Sequence, residues 1–366
     1  MQATISLRHF STMMGPYGLY QHAQGIKPLL AEGYCTDDNS RAIRFLVSLE
    51  QYQPSAEANT LLNSCWQFLT QARRPNGVFR NFRQADGKWL DQIGTEDTLA
   101  HTARSLATVL LKTKTSVRRR QARDWLIALT PHLQQLHHQR AIAESIIALS
   151  LPPVKKIPAS LTSAQNELAG RLLKLFASNR RTDWPWFENR LTYANALLPH
   201  ALLSYVRSSN RSSHYLVALH ASASFLCEAT ITGDMFHPIG NKGWYQSGRP
   251  AARYDQQPIE AGTMFEFLLE YHAEFPDRVS PATVAAPYLW FFGHNSLKQP
   301  LVNPEKGWCR DGLNHTQINP NCGAESMLAY LHADLLMRTA PAAIKQAAAK
   351  MQTVLPVPIA DSTSPT

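Results

Sequence analysis

The chain has 366 residues and a formal net charge of +9, with 44% hydrophobic and 17% charged residues. This balance allows a large buried core and argues against intrinsic disorder. No stretch approaches the roughly 18 consecutive apolar residues of a membrane span, and residues 1–15 lack a basic start followed by an apolar run. We therefore expect no membrane span and a cytoplasmic location.

Several classes of function lack their sequence signals. The basic run at residues 118–123 has no interleaved aromatics, which is typical of a solvated helix face, so no nucleic-acid partner is predicted. The five cysteines are scattered, and no close set of ligands suggests a metal. No P-loop, Gly-x-Gly-x-x-Gly fingerprint or Gly-x-Ser-x-Gly elbow is present, and no cofactor is predicted.

Apolar residues recur at helical spacing in pairs of segments along the chain. The first helix of the first pair follows Asp38. The other first helices are predicted at 97–112, 138–150, 190–206, 257–272 and 322–338. The second helices are predicted at 56–72, 117–131, 163–178, 212–230, 281–296 and 340–353.

Strand signals are weak outside a hairpin at 76–93, where Asp86-Gly87 has the sequence of a tight turn. No Gly/Ser-rich linker divides the chain. We therefore predict an all-α fold with one domain, residues 1–353, built as an (α/α)6 toroid of six inner and six outer helices. Residues 354–366 are rich in Pro, Ser and Thr and are predicted to be a flexible tail.

The first helix of each pair is predicted to lie inside the ring. Residues 196–203, for example, are apolar or small on nearly every side, as expected of a helix buried all round. Inner helices of a closed ring run parallel, so their N-termini meet at one end. Free backbone N–H groups and helix dipoles gather there and favour polar or anionic groups.

A short polar or aromatic segment, here called a lead segment, precedes each inner helix. The lead segments are 34–39, 94–97, 136–139, 184–189, 253–257 and 319–322. A single acid at a helix start is commonly an N-cap. Acids that recur beside aromatic and amide side chains exceed what capping needs, and together they favour carbohydrate chemistry.

Glycoside hydrolysis uses one protonated and one ionised carboxyl group across the scissile bond. Glu188 is the predicted general acid because aromatic side chains surround it, and an apolar setting raises the pKa of a carboxyl group. Asp38 or Asp255 is the predicted base, and Asp97 is a further catalytic candidate.

Other polar and aromatic side chains of the lead segments and nearby loops are predicted to bind the sugar. Glu260 is expected to be either a hydrogen-bond hub or a ligand contact. The predicted substrate-binding residues are Asp37, Asn39, Glu96, Trp184, Trp186, Tyr193, Trp244, Tyr254, Gln256, Glu260, His315 and Glu325.

Residues 18–23 and 33–42 resemble a bacterial family of glycosidase-like (α/α)6-barrel proteins. Segments 94–97, 186–199, 254–261 and 324–326 follow the same pattern in order. Members of this family also occur as C-terminal domains fused to glycosyltransferases. The resemblance implies the barrel fold, a carbohydrate substrate and a functional link to a glycosyltransferase. Two positions depart from the pattern: Asn195 stands where an acid is expected, and residues 101–104 replace a Gly-Arg-Ala run.

The leading hypothesis is a glycoside hydrolase acting on an oligo- or polysaccharide, inverting by analogy with other α/α barrels. A sugar epimerase or isomerase on the same ring is an alternative, since such enzymes can move a proton with paired histidines. The histidines considered for it are His101, His200, His237 and His315. A lyase with a Tyr/His pair and a non-catalytic glycan-binding module assisting a glycosyltransferase stay open as well.

Overall fold

A computed structural model describes residues 4–151, 158–209 and 212–352. The helices in these residues alternate between inner and outer positions after a short first helix. They are α1 Arg8–Met13, α2 Thr36–Tyr52, α3 Ala56–Ala72, α4 Glu96–Lys112, α5 Ser116–Leu133, α6 Gln139–Ser150, α7 Ala159–Asn179, α8 Leu197–Ser208, α9 Ser213–Thr230, α10 Pro258–Glu274, α11 Pro281–Trp290, α12 Ala324–Thr339 and α13 Ala342–Gln352.

The even-numbered helices α2 to α12 form a closed inner ring, in which each contacts the next and α12 contacts α2. The odd-numbered helices from α3 to α11 pack outside them, and α13 packs against α11. The predicted (α/α)6 toroid is therefore confirmed. None of the helices in the described ranges combines the length and the apolar character needed to cross a bilayer.

Inner helices bury most of their surface, as their sequences predict. In α8 every residue from Leu197 to Ser204 is buried, including His200. A fully buried Leu or Phe side chain contributes roughly 1.5–3 kcal/mol of hydrophobic free energy, so the ring is held mainly by this packing. The polar residues that face the ring interior depart from this apolar pattern, and they form the site described below.

Two of the inner helices, α2 and α4, begin at side-chain caps. The hydroxyl of Thr95 accepts a hydrogen bond from the N–H of Thr98 at the start of α4, and the sulfur of Cys35 accepts one from the N–H of Asp38 in α2. Acidic residues occupy the first turns of α2, α4, α10 and α12. Negative charge there is stabilised by the positive end of the helix dipole.

Five two-stranded antiparallel ribbons connect the loops around the ring. The strands are β1 Ala23–Gln24, β2 Lys27–Pro28, β3 Tyr34–Cys35, β4 Phe82–Arg83, β5 Arg190–Leu191, β6 Ile231–Thr232, β7 Met235–Phe236, β8 Tyr245–Gln246, β9 Val302–Asn303 and β10 Trp308–Cys309. Two ribbons join distant loops: β3, in the first lead segment, pairs with β4, and β5, directly after the fourth lead segment, pairs with β8.

The predicted hairpin is present: the N–H of Leu90 donates to the carbonyl of Phe82 at 2.9 Å, and Gly87 at the turn has φ 92°. Two helices are shorter than predicted. The helix expected at 190–206 begins only at Leu197, because β5 and a turn at Ala194 with φ 45° precede it. The helix expected at 281–296 ends at Trp290, and the predicted tail 354–366 lies outside the described residues.

Candidate active site

A cavity of about 400 Å³ lies at the N-terminal end of the inner ring, and all six inner helices contribute to its wall. We call it the upper cavity. The predicted convergence of the inner helix starts on one concave site is therefore seen in the structure. The depth of the cavity is set by side chains one and two turns inside the helices, below the lead segments.

Four inner helices line this cavity with one repeated pattern, at positions i, i+3, i+4 and i+7. These spacings place side chains on a single helix face. The four stripes are Asp37, Ser40, Arg41 and Arg44 in α2; Asp97, Ala100, His101 and Arg104 in α4; Ile259, Gly262, Thr263 and Glu266 in α10; and Glu325, Leu328, Ala329 and His332 in α12. The deepest residue of each stripe forms the floor.

Arg104 crosses the ring at floor level and joins two carboxylates. Its Nη1 lies 2.7 Å from Glu144 Oε2, and its Nη2 lies 2.8 Å from Glu266 Oε1. Helices α4 and α10 are three steps apart in the ring, so this side chain spans the interior. Burial alone would raise the pKa of Glu144 and Glu266, but Arg104 and the other cations around them hold both well below the usual range.

Two histidines stand at the ends of this network. The Nδ1 of His101 is 3.3 Å from Glu144 Oε1, and its Nε2 is 3.0 Å from Arg41 Nη2. Because a guanidinium group only donates, Nε2 of His101 accepts, and Nδ1 carries the hydrogen toward Glu144. The partners therefore assign the tautomer of this ring.

His332 lies at the other end, with Nε2 3.2 Å from Glu266 Oε1. Its Nδ1 is buried and has no hydrogen-bond partner among the described residues. Burial, followed by the nearby Arg44, lowers the pKa of His332 to about 4. The ring is therefore neutral near pH 7, donates through Nε2 and keeps a free lone pair on Nδ1.

Two further arginines complete the lower part of the site. Arg41 lies 2.8 Å from Asp38 Oδ1 and 3.1 Å from Glu325 Oε2. Arg44 stands farther from its anions, 3.9 Å from Glu144 Oε1 and 3.7 Å from Glu266 Oε2. Its guanidinium group thus lies beyond hydrogen-bonding distance of both carboxylates.

The rim of the cavity is built from the loops before α8 and α10. The Tyr193 hydroxyl donates to Asp97 Oδ2 at 3.2 Å, and Arg140 donates from Nε to the Tyr193 carbonyl at 2.8 Å. Trp244 lines the cavity beside Asn241 and adopts φ 58°. This left-handed conformation is costly for a bulky side chain.

The Trp244 loop is held by its own backbone. The N–H of Trp244 donates to the carbonyl of Gly240 at 3.1 Å, and the N–H of Gly240 donates to the carbonyl of Ala252 at 2.8 Å. A Cβ atom at Gly240 would overlap the carbonyl oxygen of Tyr254. The two arms of this loop therefore lie in direct backbone contact.

Five of the predicted site residues line the upper cavity: Asp37, Asp97, Tyr193, Trp244 and Glu325. The predicted catalytic residues Asp38, Glu188 and Asp255 are not part of its wall. Asp38 is buried and accepts hydrogen bonds from Arg41 and from the Cys35 thiol. Glu188 forms an ion pair with Arg140. The wall of the upper cavity therefore contains none of these three carboxylates.

The predicted indole platform belongs to the core. Trp184 and Trp186 are 2% and 0% exposed. Both rings pack against Phe225, and the indole N–H of Trp184 donates to the carbonyl of Glu188 at 2.7 Å. Because these rings are covered by protein, they stabilise the loop before α8 and present no face to the cavity.

The other predicted binding residues hold loops in place. Asn39 accepts from the N–H of Leu19, and Glu96 accepts from the N–H groups of residues 137 and 138. Gln256 accepts from the Trp290 indole, and Glu260 accepts from the Ala194 N–H and the Asn195 amide. Tyr254 packs edge-on against the exposed His315. None of the six predicted residues Asn39, Glu96, Tyr254, Gln256, Glu260 and His315 is among the described residues that line the upper cavity.

The sequence prediction missed most of the floor and its partners: Arg41, Arg44, Arg104, Arg140, Glu144, Glu266 and His332. His101 was named only as one of several histidines near helix starts. The sequence does contain a pattern that predicts these residues. Charged residues at i+4 and i+7 after an acid are unexpected on a helix that is buried all round, unless they line a site. Within 4–151, 158–209 and 212–352, no three His, Cys, Asp or Glu side chains are grouped as a metal site requires.

Comparisons with known proteins agree on the fold. No protein-family profile and no curated protein matches this sequence. Among solved structures, a cellobiose 2-epimerase from Bacillus thermoamylovorans matches with a TM-score of 0.70 at 8% identity, covering 91% of this chain and 96% of that chain. A D-mannose isomerase matches at 0.67 and 14% identity, covering 92% and 94%. An α-1,6-mannanase of a Salegentibacter species matches at 0.58 and 10% identity, covering 90% and 96%.

These structures are (α/α)6-barrel enzymes that process carbohydrates. At such low identity the likeness establishes the barrel fold that the sequence predicted. The cytoplasmic location and the link to a glycosyltransferase stay predictions.

Replacing Arg104 tests whether the network is held by its central cation. Arg104→Met leaves Glu144 and Glu266 buried with less compensation, so we expect a loss of about 3–5 kcal/mol in the free energy of unfolding, measured with urea. Adding Glu144→Gln and Glu266→Gln should restore part of this loss. The control Arg207→Met removes a half-exposed cation and should cost about 0–1 kcal/mol. An equally small loss in the free energy of unfolding for both variants would contradict the central role of Arg104 in the network.

Glu260 should make stability depend on pH. Burial raises the pKa of Glu260 from 4.5 to about 7, although hydrogen bonds from residues 194 and 195 and the charge of Arg140 oppose the rise. The native state then binds this proton more tightly than the unfolded chain. Its stabilising contribution is full below the unfolded value of 4.5 and is lost as the pH rises through about 7.

We therefore expect Glu260→Gln to flatten the decline of stability with pH across this window, relative to the unmodified protein. Thermal unfolding followed by circular dichroism at several pH values measures the difference. Glu305→Gln, at an exposed loop position, serves as the control. A pH profile for Glu260→Gln that parallels the unmodified protein would contradict the assignment.

Proposed function

We propose that this protein is a sugar isomerase or epimerase that moves a proton on a carbon next to a carbonyl group, and that His332 and His101 are its acid–base groups. The observation that carries the proposal is one continuous chain of contacts, His101–Glu144–Arg104–Glu266–His332, whose two terminal rings line the same cavity. Such chemistry needs two positioned groups that accept and return a proton.

His332 suits the role of base. Its Nε2 is engaged with Glu266, and the lone pair of the buried Nδ1 would take a proton from the sugar carbon once the ring turns this atom toward the cavity. The electron pair of the broken C–H bond moves into the adjacent carbonyl and forms an enediolate. Glu266 positions the ring and stabilises the imidazolium that results.

The enediolate oxygen requires a positive partner. Arg44 lies deep in the cavity, beyond hydrogen-bonding distance of both carboxylates, so its N–H groups can donate to that oxygen. Fixed donors in a site that excludes water are an effective way to stabilise developing negative charge. His101, on α4, is the second group. Its Nε2, which accepts from Arg41 in the resting site, takes a proton from solvent and gives it to the carbon skeleton, and His332 then loses the proton of the sugar carbon to solvent.

The compared structures support this choice. The cellobiose 2-epimerase and the D-mannose isomerase resemble the chain more closely in three dimensions than the mannanase does. Three of the four predicted hydrolytic carboxylates, Asp38, Glu188 and Asp255, lie outside the cavity wall, which also favours proton transfer over hydrolysis. A neutral reducing sugar suits a site whose arginines are largely balanced by carboxylates.

The test is to incubate reducing mono- and disaccharides with the protein in deuterated water and to follow carbon-bound deuterium by NMR. His332→Asn and His101→Asn should each slow labelling by roughly 10²–10⁴-fold, while His315→Asn, at an exposed position outside the cavity, should leave it unchanged. If a sugar is labelled at an undiminished rate by both cavity variants, the assignment is wrong.

A glycoside hydrolase is the second candidate, because three carboxylates gather near the mouth of the same cavity. Asp37, Asp97 and Glu325 line it, and Asp37 Oδ1 is buried without a hydrogen-bond partner among the described residues. The mannanase among the compared structures is described as inactive when two adjacent aspartates are replaced by asparagine. This chain has adjacent acids at residues 37–38 and 96–97.

Reducing-end release from oligo- and polysaccharides, including α-1,6-mannan, tests the hydrolase. Asp97→Asn should lower release by roughly 10²-fold or more if Asp97 acts as an acid or base, while Asp277→Asn, at an exposed position, should not. Release that is unaffected by Asp97→Asn would contradict this role. Carbon-bound deuterium without release of reducing ends would favour the isomerase.

A further inference from the structure

A second cavity, of about 530 Å³, lies at the opposite end of the inner ring. We call it the lower cavity. Leu111, which is 45% exposed, and Arg207, whose side chain is 43% exposed, form part of its wall, so this cavity opens to solvent. Its volume falls within the roughly 300–1,000 Å³ of small-molecule sites, and the reaction proposed above gives it no role.

The wall of the lower cavity carries an excess of positive charge. Its ionised side chains give a net charge of +2, and they are Arg44, Arg104, Lys112, Arg207, Glu266 and Glu270. His332 also lines this cavity, but burial lowers its pKa to about 4, so it adds no charge near pH 7. Positive charges that are partly removed from water and lack partners are unfavourable, and a bound anion would balance them.

Carboxylates close by balance two of these four cations. Arg104 binds two carboxylates, as described above, and Arg207 Nη1 lies 2.5 Å from Glu270 Oε2. Arg44, by contrast, lies 3.7 Å or more from the carboxylate oxygens nearest to it. Lys112 forms no ion pair in the part of the chain that the structure describes, and its ammonium group binds a hydroxyl group instead. The excess charge therefore belongs to Arg44 and Lys112.

Lys112 is the last residue of α4, and its ammonium group lies against the wall of the lower cavity. Its Nζ donates to Ser48 Oγ at 3.0 Å, and Ser48 lies one turn beyond Arg44 on the same face of α2. An ammonium group has three N–H donors, so two remain for a ligand. Burial lowers the pKa of Lys112, Glu266 opposes this effect, and Arg44 adds to it. The two cations therefore repel each other across the cavity.

A lysine in the last turn of a helix can also serve only to offset the helix dipole. The contacts of Lys112 argue against this, because its ammonium group binds a hydroxyl group, while its own carbonyl accepts from the Gln51 amide at 2.9 Å. The dipole effect falls off within the last turn, whereas Arg44 lies eight residues, about two turns, before the end of α2 at Tyr52. This pair of cations is therefore placed for a ligand.

We propose that the lower cavity binds a small oxyanion between Lys112 and Arg44, and that the ligand is phosphate or the phosphate group of a small metabolite. A phosphate group carries about −1.5 to −2 charges at pH 7, which matches the excess positive charge of the wall. Arg44 can donate two parallel hydrogen bonds to phosphate oxygens, and Lys112 adds a point charge.

The anion would also influence the upper cavity, because Arg44 lines both cavities. This consequence rests on the isomerase function proposed above, in which Arg44 stabilises the enediolate. An anion in the lower cavity competes for the same N–H groups. We therefore expect it to inhibit the reaction by lowering kcat, without occupying the space of the sugar.

Isothermal titration calorimetry with inorganic phosphate, in a phosphate-free buffer of low ionic strength, tests binding without any need for activity. Lys112→Met and Lys112→Gln should each weaken binding by roughly tenfold or more, as expected for the loss of one charge-assisted hydrogen bond. Lys112→Arg keeps the charge and should bind within severalfold of the unmodified protein. Lys114→Met, at an exposed position two residues further along, removes the same charge and should leave the affinity unchanged.

Lys112 lines the lower cavity and not the upper one, so its effect locates the anion. Circular dichroism identifies any variant that does not fold, and either Lys112→Met or Lys112→Gln can decide. Phosphate binding that these variants leave unchanged overturns the proposal, and so does the absence of saturable binding of both inorganic phosphate and a hexose 6-phosphate. Where binding depends on Lys112, tighter binding of the hexose phosphate identifies a metabolite as the ligand, and equal or weaker binding identifies the free anion.

The second test adds phosphate to the deuterium-labelling assay at saturating sugar. Labelling by the unmodified protein should slow severalfold, while Lys112→Met should keep its rate. An undiminished rate in the presence of bound phosphate overturns the expected inhibition. If no sugar is labelled at all, the proposed isomerase function fails, and calorimetry still decides whether the anion site exists.

Discussion

The interior of the barrel depends on the ion pairs that the guanidinium group of Arg104 makes with two carboxylates. This group joins Glu144 on one side to Glu266 on the other, and so fixes three inner helices at one height. Buried ion pairs seldom stabilise a protein more than well-packed apolar residues of similar size would. The value of this network therefore lies in placement: it orients His101 and His332 and closes the cavity with charged groups.

The fold was largely predictable from the sequence. Helical periodicity separated inner from outer helices, and polar lead segments indicated the end of the ring where the inner N-termini meet. The start of α8 was misplaced because two local interactions override its apolar pattern. Arg190 and Leu191 pair with the β8 strand, and Glu260 holds the Ala194 N–H in a turn. Both partners lie more than fifty residues away, which periodicity cannot reveal.

The site was less predictable, because residue type does not show where a side chain points. Trp184 and Glu188 stood together in a rich aromatic segment, yet the indole is covered by core side chains and the carboxylate pairs with Arg140. Lead segments supply helix caps and part of the cavity mouth, whereas the floor is set by the residue seven positions after the first residue of each helical stripe. Glu266 and His332 therefore lie outside the lead segments from which the site was predicted.

The Trp244 loop has a consequence for how this protein can change. Its backbone is pressed against the chain at Tyr254, and the absence of a side chain at Gly240 is what permits the approach. Selection for new substrates can vary the side chains at Asn241 and Trp244, since these face the cavity. A side chain at position 240 would displace the whole rim. Variants with altered specificity are therefore expected to keep Gly240.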